Sequence, residues 1–282
     1  MTAARILLML FAFIGQLAAA SAGVKVAKDI NYTAKEDIRR QLNVFYKSDK
    51  EAQAKDVVIF IHGGSWSSGK KDIYWWLGRN LARKGVIAVT INYGLAPESK
   101  YPQMAADCVD AVQWVMTNIS KYGGNPSRIF LMGHSAGCHL AELINADPQY
   151  FATAGIKNPI KGLILDDPFG LDMREYMGMA EKDNSYYDFL RTFSKSPATW
   201  TAGSPLTYVD NIKNPHLLWY GAKTYPAIQI QTKRLYEQLT KQNVPVKLEV
   251  IKGKKHVGMI TQMIFGSSKR YDELLTFLAS CN

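Results

Sequence analysis

Short apolar stretches alternate with amphipathic stretches along most of this chain. Continuous apolar runs are typical of buried strands in a sheet that is covered on both faces. The stretches between them repeat their apolar residues every three or four positions, as helices do. The alternation predicts an α/β protein with a mainly parallel sheet flanked by helices. Buried strands are expected within 57–61, 86–93, 128–132, 160–167, 216–220 and 246–251, after a pair of strands within 28–56. Helices are expected over 72–84, 102–121, 136–146, 228–242 and 267–281, with a turn over 122–127.

The first 22 residues have the pattern of a secretory signal. Arg5 is followed by an apolar stretch, Ile6 to Leu17, that is too short to span a bilayer, and then by small residues suited to cleavage. We therefore expect a signal peptide over 1–22, a secreted or periplasmic protein, and no stable membrane span after cleavage. An uncleaved N-terminal anchor is the alternative. Residues 23–282 are expected to form a single domain, because that length suits one α/β core and no linker interrupts it.

One long segment, 169–200, has no clear helical or strand period. It carries many aromatic and methionine side chains. Insertions of this kind often cover an active site, so we expect a cap that lines an apolar substrate pocket. Trp66 is expected to line the same pocket, with simple packing as the alternative. A pair of ordinary surface helices is the alternative for the segment.

Composition narrows the classes of function. The net charge is +10, but the basic residues are scattered and no nucleic-acid-binding motif is present, so no nucleic-acid partner is expected. A scattered basic surface is compatible with an acidic partner or a polysaccharide. Three cysteines leave room for one disulfide, whose pair the sequence does not choose. The five histidines have no metal-binding spacing, so we expect no metal and no cofactor.

The candidate chemistry centres on the sequence G-H-S-A-G at 133–137. An apolar strand precedes this motif, and a helix of small and apolar residues follows it. Strand, G-x-S-x-G and helix together are typical of a nucleophile elbow, a tight turn that presents a serine at the edge of the sheet. Glycines on both sides relieve the crowding in such a turn. Ser135 is therefore the predicted nucleophile, and a chance occurrence of the pattern is the alternative.

A second glycine motif, H-G-G-S-W at 62–66, directly follows an apolar strand. Consecutive glycines let the backbone approach a substrate and offer N–H groups to an oxyanion. We expect these donors to come from Gly63, Gly64 or both, together with Ala136 after the nucleophile. An ordinary tight turn is the alternative for the two glycines. His62 is expected to fix this loop rather than to act as a base.

A serine hydroxyl needs a base, and the base needs an acid that orients it. His256 follows the last predicted strand, at the edge where Ser135 is expected, and is the predicted base. The loop after 216–220 is the usual place for the acid, but it contains no Asp or Glu. Asp167, at the end of the preceding strand, is the predicted acid, with Asp166 second. Two aspartates that merely cap a turn, or a Ser–His dyad, are the alternatives.

The other histidines are weaker candidates for the base. His134 and His139 are close to Ser135 in sequence, but their positions on the elbow and the helix are expected to point them elsewhere. His216 opens a predicted strand, which places it at the opposite edge of the sheet.

Three stretches resemble motifs of the α/β-hydrolase fold, specifically of esterases of the hormone-sensitive-lipase-like and kynurenine-formamidase-like kind. The resemblance extends from residue 57 to residue 145, and the order of strands continues it to the C-terminus. It is specific for the superfamily and weak for the substrate. The stretches are H-G-G-S-W at 62–66, N-Y-G-L-A-P-E at 92–98 with Tyr101, Pro102 and Asp107, and G-H-S-A-G-C-H-L at 133–140.

The resemblance implies an α/β-hydrolase fold with the nucleophile, base and oxyanion donors already named. The sequence departs from the family pattern at Thr224, which falls where the family commonly places its Asp or Glu. Asp167, followed by Pro168, resembles the relocated acid of pancreatic-type lipases. This likeness supports Asp167 as the acid in place of a residue at 224.

These features predict a secreted serine carboxylesterase that cleaves short-chain or aryl esters through an acyl-enzyme. Its substrate is expected to be a small ester or an acylated polysaccharide, with acetyl and feruloyl groups among the candidates. An arylformamidase is one alternative, although a signal peptide argues against that intracellular activity; a peptidase is another. A non-catalytic hydrolase-like binding protein is a further alternative, with catalysis lost at Thr224.

Overall fold

The structure, a computed structural model, describes residues 23–47 and 53–281. The predicted signal peptide over 1–22 lies outside the described residues. The described residues form an eight-stranded sheet with helices packed on both faces. Within the same ranges, no helix is both long enough and apolar enough to cross a membrane.

The sheet has the strand order β1-β2-β4-β3-β5-β6-β7-β8. The six strands from β4 to β8 in this order are parallel. At one edge, β2 is antiparallel to both of its neighbours, β4 and β1. This arrangement confirms the predicted α/β class. The strands are β1 Val24–Asn31, β2 Gln41–Lys47, β3 Lys55–Ile61, β4 Ile87–Ile91, β5 Gly124–His134, β6 Ile160–Asp166, β7 His216–Gly221 and β8 Val246–Ile251.

The described helices connect the strands and form the cap. They are α1 Trp75–Arg83, α2 Tyr101–Asn118, α3 Ala136–Ala146, α4 Gln149–Thr153, α5 Met173–Met179, α6 Asn184–Phe193, α7 Pro197–Ala202, α8 Pro226–Lys241, α9 His256–Thr261 and α10 Lys269–Ser280. Shorter 3-10 helices lie at Ile38–Arg40, Lys71–Tyr74, Ile119–Tyr122, Pro205–Asn211 and Gln262–Ile264.

Alternate residues of the central strands enter two separate apolar cores. In β3, Val57, Ile59 and Ile61 belong to the core that α2 and α3 cover. Val58 and Phe60 belong to the core on the other face, which α1 and α10 cover. Since successive side chains of a strand point to opposite faces, a strand covered on both sides has few polar positions. This packing explains the continuous apolar runs in the sequence.

Two predicted boundaries are wrong. Strand β5 begins at Gly124 rather than at 128, because the expected turn residues continue the strand and Gly124 pairs with Lys55 of β3. The predicted helix over 72–84 is a 3-10 helix followed by the shorter α1. Asp72 does not cap it, since its carboxylate accepts a hydrogen bond from the Asn43 side chain instead. In both places a tertiary contact overrides the local pattern.

The segment 169–200 forms three short helices, α5 to α7. The segment has features of both interpretations given above, a cap that lines a pocket and ordinary helices packed on the core. Phe193 is fully buried, and its ring lies 4.9 Å from that of Trp66, which ties the segment to the main core. Phe169, Tyr176 and Phe189 instead pack on one another, with ring centroids 4.9 to 5.8 Å apart. These three rings face the cavity described below.

All three cysteines are buried free thiols. Cys108 lies in α2, Cys138 in α3, and Cys281 directly after α10. The one disulfide for which the sequence leaves room is therefore not formed.

Candidate active site

The carboxyl ends of parallel strands meet at one edge of the sheet, and the loops at this edge carry the predicted site residues. Gly63 follows β3, Ser135 follows β5 and Asp167 follows β6, and these three strands are neighbours in the sheet. His256 opens α9, shortly after β8. The topology therefore delivers residues that are almost 200 positions apart in sequence to one place.

Ser135 occupies a strained turn between β5 and α3. Its backbone has φ 56° and ψ −124°, a conformation that side chains rarely adopt. A Cβ atom on Gly133 would lie 2.5 Å from the backbone nitrogen of Cys138, and one on Gly137 would lie 2.0 Å from the carbonyl oxygen of Ile61. Only glycine fits at either place, which is the physical reason for the G-x-S-x-G pattern.

Three of the predicted residues form a continuous hydrogen-bonded chain. Ser135 Oγ lies 2.8 Å from His256 Nε2, and His256 Nδ1 lies 2.6 Å from Asp167 Oδ2. The other carboxylate oxygen, Asp167 Oδ1, accepts a hydrogen bond of 2.8 Å from the backbone N–H of Gly221. Asp167 is fully buried, whereas the His256 side chain is 18% exposed. The order of the groups is that of a nucleophile, a base and an orienting acid.

Thr224 is a member of this cluster that sequence reasoning missed. Its hydroxyl donates a hydrogen bond to Asp167 Oδ2, the oxygen that also contacts His256. From the sequence, Thr224 is notable only as the place where the family acid is absent. A buried carboxylate needs such partners, and Thr224, Gly221 and His256 together supply three. The residue at the usual acid position therefore supports the relocated acid.

Asp166, the second candidate for the acid, is in a different environment. It ends β6 and is fully buried, and neither of its carboxylate oxygens has a hydrogen-bond partner among the described residues. Burial raises the pKa of Asp166 well above its usual value, and the negative charge of Asp167 raises it further. A buried carboxyl group with a raised pKa and without a hydrogen bond to His256 does not meet the requirements of the acid. The geometry favours Asp167.

His134 does not point away from the site, contrary to expectation. Its ring stacks on that of His256, with the centroids 4.8 Å apart and the planes 28° from parallel. Burial lowers the pKa of His134 to about 3, and the charge of His256 acts in the same direction. His134 is therefore neutral, and it does not repel a proton on His256. The sequence gives no sign of this contact, because it depends on where α9 crosses the elbow.

Two further histidines have structural roles. His62 places its Nδ1 2.8 Å from the carbonyl oxygen of Gly63 and stacks on Tyr93, in agreement with the loop-fixing role predicted for it. His139 accepts a hydrogen bond of 3.1 Å from the indole N–H of Trp66, and its Nε2 lies 2.7 Å from the carbonyl oxygen of Gly203. Trp66 is fully buried, so the prediction that it lines the pocket is wrong.

These three buried histidines make the stability of the protein depend on pH. Burial lowers the pKa of His62 and His139 from 6.5 to about 4 and that of His134 to about 3. Unfolding therefore takes up protons between pH 6.5 and 4, and the free energy of unfolding falls as the pH is lowered. Asp166 acts in the opposite sense, because its pKa is raised in the folded state. The three histidines alone are expected to lower the free energy of unfolding by about 3 kcal/mol per pH unit between pH 6 and pH 5, and urea unfolding would measure the net slope after the opposing effect of Asp166.

The His139→Gln variant isolates one of these contributions. Glutamine can accept from Trp66 and donate to Gly203 as the imidazole does, but it does not titrate. Between pH 6 and pH 5, the slope of unfolding free energy against pH should fall by about 1 kcal/mol per pH unit. An unchanged slope in the variant would show that His139 is not the neutral group described.

A cavity of about 710 Å³ opens in front of Ser135 and His256. Phe169, Tyr176 and Phe189 of the predicted cap segment form part of its wall, so this segment lines a cavity beside the nucleophile. The further lining residues are Ser65, Glu181, Ser185, Tyr225, Pro226 and Ala227.

Several proteins of known structure share this fold. Esterase B from Lactobacillus rhamnosis superposes with a TM-score of 0.78 at 20% identity, over 98% of this chain and 95% of the esterase. A truncated carbohydrate esterase from gut microbiota superposes with a TM-score of 0.77 at 17% identity, over 93% of this chain and 98% of that one. At these identities the likeness concerns the fold alone.

Curated relatives are similar in sequence. A probable isoprenylcysteine alpha-carbonyl methylesterase from Oryza sativa subsp. japonica is 28% identical over 269 residues, which cover 88% of this chain and 61% of the relative. Esterase LipC from Mycobacterium tuberculosis is 29% identical over 215 residues, which cover 72% of this chain and 53% of LipC. The chain thus spans about half to three fifths of the length of these relatives.

A family model also matches the chain. The BD-FAE model matches residues 42–239. This range contains both glycine motifs, the strained serine and six strands of the sheet, from β2 to β7. Because the match extends over more than half of the sequence, we conclude that the chain belongs to the BD-FAE family and has the α/β-hydrolase fold that its motifs predict.

Proposed function

We propose that this protein is a serine esterase that hydrolyses carboxylic esters through an acyl-enzyme. The observation that carries the proposal is the hydrogen-bonded chain from Ser135 through His256 to Asp167, which opens on a cavity large enough for a small ester. His256 Nε2 is within reach of the serine proton, and Asp167 holds the other ring nitrogen. The esterase names of the curated relatives also support this activity.

In the proposed reaction, Ser135 Oγ attacks the ester carbonyl carbon while His256 takes its proton. The tetrahedral intermediate collapses, the bond to the alcohol oxygen breaks, and His256 passes the proton to the leaving alcohol. Water then attacks the acyl-enzyme, with His256 again as the base, and releases the acid and the free serine. Asp167 stabilises the positively charged imidazole in each half of the cycle.

The oxyanion is proposed to accept hydrogen bonds from two backbone N–H groups. Ala136 is the first residue of α3, where an amide has no acceptor within its own helix. The second donor is proposed to come from the loop after β3, from Gly63, Gly64 or both, because a Cβ atom on Gly63 would lie 3.1 Å from Ser135 Cβ and the loop therefore runs directly beside the nucleophile.

The proposed substrates are short-chain or aryl esters, including acetyl and feruloyl esters. Aromatic side chains form much of the cavity wall, and Ser65, Glu181 and Ser185 give it a polar part. An ester is favoured over an N-formyl amide by the names of the relatives. The intact geometry of the three central residues argues against a binding protein without catalysis.

Export is a separate proposal that rests on the sequence of residues 1–22. The positive charge, the apolar stretch and the small residues support it. We expect the protein expressed in its own host to begin at Ser21 or Gly23, which intact mass measurement of the purified protein would test.

Two measurements test the esterase proposal. The protein should hydrolyse p-nitrophenyl acetate and butyrate, with a rapid burst of nitrophenol if deacylation is slower than acylation. A fluorophosphonate probe should become attached to Ser135, as identified by peptide mass, and an excess of substrate should slow this labelling. A folded protein that neither turns over these esters nor reacts with the probe would contradict the proposal.

The Gly63→Ala variant tests how closely the glycine loop approaches the nucleophile. A Cβ atom there would lie 2.8 Å from the carbonyl oxygen of His134 and 3.1 Å from Ser135 Cβ, so the loop must shift away from the serine. We expect kcat for p-nitrophenyl acetate to fall about 10²- to 10³-fold, as on loss of an oxyanion donor. Gly23→Ala is the matched control, since its Cβ would meet no atom within 4 Å. Equal activity of the two variants would contradict the assignment.

A further inference from the structure

A second, smaller cavity adjoins the catalytic one. Its volume is about 260 Å³, and it lies between α5 of the cap and the first turns of α8. Tyr176, Pro226 and Ala227 line both cavities, so the two spaces share a wall and are neighbours. We refer to the smaller cavity as the annex. A ligand attached to Ser135 could extend past these shared residues into it.

The side chains that remain available in the annex are apolar. Besides Tyr176, whose aromatic ring packs on Phe169 and Phe189, two polar residues line it, and their polar groups are already paired. The Glu175 carboxylate lies 2.7 Å from Arg234, and the Gln231 amide makes hydrogen bonds of 2.9 and 3.0 Å with the backbone of Asp172. Met179, on the α5 side, is 80% exposed, and Ile230, on the α8 side, is 56% exposed. An apolar ligand would remove both of these side chains from water.

The position of His256 indicates which end of an ester would reach the annex. In the proposed reaction His256 gives its proton to the leaving oxygen, so the alcohol part must lie on the same side as this ring. The ring of Tyr225 is 5.3 Å from that of His256, and Pro226 of the annex follows it in sequence. The annex therefore lies beside the base, on the side of the leaving group.

We propose that the annex is a subsite for an apolar alcohol group of the ester, in particular an unbranched alkyl chain. The proposal rests on the proposed esterase function, whose leaving alcohol it describes. The size of the annex is adequate, because a cavity of about 150 Å³ in another protein holds a benzene molecule. The acyl group is then placed in the remainder of the catalytic cavity, next to Ser65 and Phe169.

Acetate esters of increasing alcohol length test this assignment. We expect kcat/KM of the wild-type protein to rise from ethyl through butyl and hexyl to octyl acetate, since a buried methylene contributes up to about fourfold. The Ile230→Asp and Met179→Asp variants place a charge on opposite walls of the annex. Each should lower the ratio of octyl to ethyl kcat/KM by more than about tenfold.

The matched control is Ile264→Asp. Ile264 is 44% exposed and lines neither cavity, so this variant should keep the wild-type ratio. A ratio that is flat in the wild-type protein, or that changes equally in all three variants, would overturn the subsite.

Binding of free alcohols separates the subsite from the catalytic proposal. By isothermal titration, 1-octanol should bind the wild-type protein at least about tenfold more tightly than the Ile230→Asp variant, whereas 1-butanol should distinguish them little. If no ester is cleaved but octanol binding depends on Ile230, the esterase proposal fails and the annex is an alkyl-binding site without a role in ester cleavage. If esters are cleaved and octanol binds both proteins equally, the subsite fails alone.

Discussion

Alanine at position 135 is expected to lower kcat for p-nitrophenyl acetate by about 10⁴- to 10⁶-fold. Without the hydroxyl no acyl-enzyme can form, and water would have to attack the ester directly. His256 and the oxyanion donors would remain, so a small rate above the uncatalysed one should persist. The Ser135→Ala protein should also fail to react with the fluorophosphonate probe.

A suitable control for this variant is Ser120→Ala. Ser120 is exposed in the 3-10 helix that follows α2, far along the chain from the site loops, and its replacement should leave kcat unchanged. Circular dichroism and thermal unfolding of both variants would verify that they fold. A Ser135→Ala protein with kcat within tenfold of the wild-type value would mean that another group is the nucleophile.

Asparagine at position 167 is expected to lower kcat by about 10⁴-fold. The neutral amide cannot balance the charge of a protonated His256. Its NH₂ group is a hydrogen-bond donor, so it cannot accept a hydrogen bond of the kind that Thr224 and Gly221 now donate to the carboxylate. The loss should appear in kcat and in kcat/KM alike, because the acid acts mainly in the transition state.

The adjacent residue offers the same substitution as a control. Asp166 is a buried carboxyl group with a raised pKa and without a hydrogen-bond partner in the described structure, and asparagine has nearly the same shape. The Asp166→Asn variant should therefore keep kcat within tenfold of the wild-type value. Similar losses in the two variants would remove the distinction between the aspartates, and normal activity of Asp167→Asn would favour a Ser–His dyad.

Much of the fold could be predicted because burial of an element leaves a pattern within a short stretch of sequence. Strands such as β3 are buried on both faces, and this leaves a continuous apolar run that a sequence displays directly. The elbow can also be recognised from the sequence, because the crowding at Gly133 and Gly137 permits only glycine there. The start of β5 could not be predicted in this way, since Gly124 joins the strand only through its pairing with Lys55.

The parts of the site that could not be predicted depend on contacts between loops. Nothing near Thr224 in sequence indicates that its hydroxyl meets a carboxylate from the previous strand. The stacking of His134 on His256 likewise requires α9 to return over the elbow. Trp66 could not be placed because one aromatic residue in a loop can face either a cavity or a core, and here His139 accepts its N–H in the core.

The location of the carboxylate on β6 also bears on directed evolution. Where the acid sits after β7, changes in that loop put the catalytic charge at risk. Here the corresponding stretch supplies donors from Gly221 and Thr224, and four of the residues that follow line the cavities: Tyr225, Pro226, Ala227 and Ile230. Random libraries restricted to 225–230 should therefore yield altered selectivity in a large fraction of active clones, whereas libraries at 166–168 should yield mostly inactive ones. In this chain, the residues expected to set substrate selectivity and the residue that serves as the catalytic acid therefore lie in separate segments.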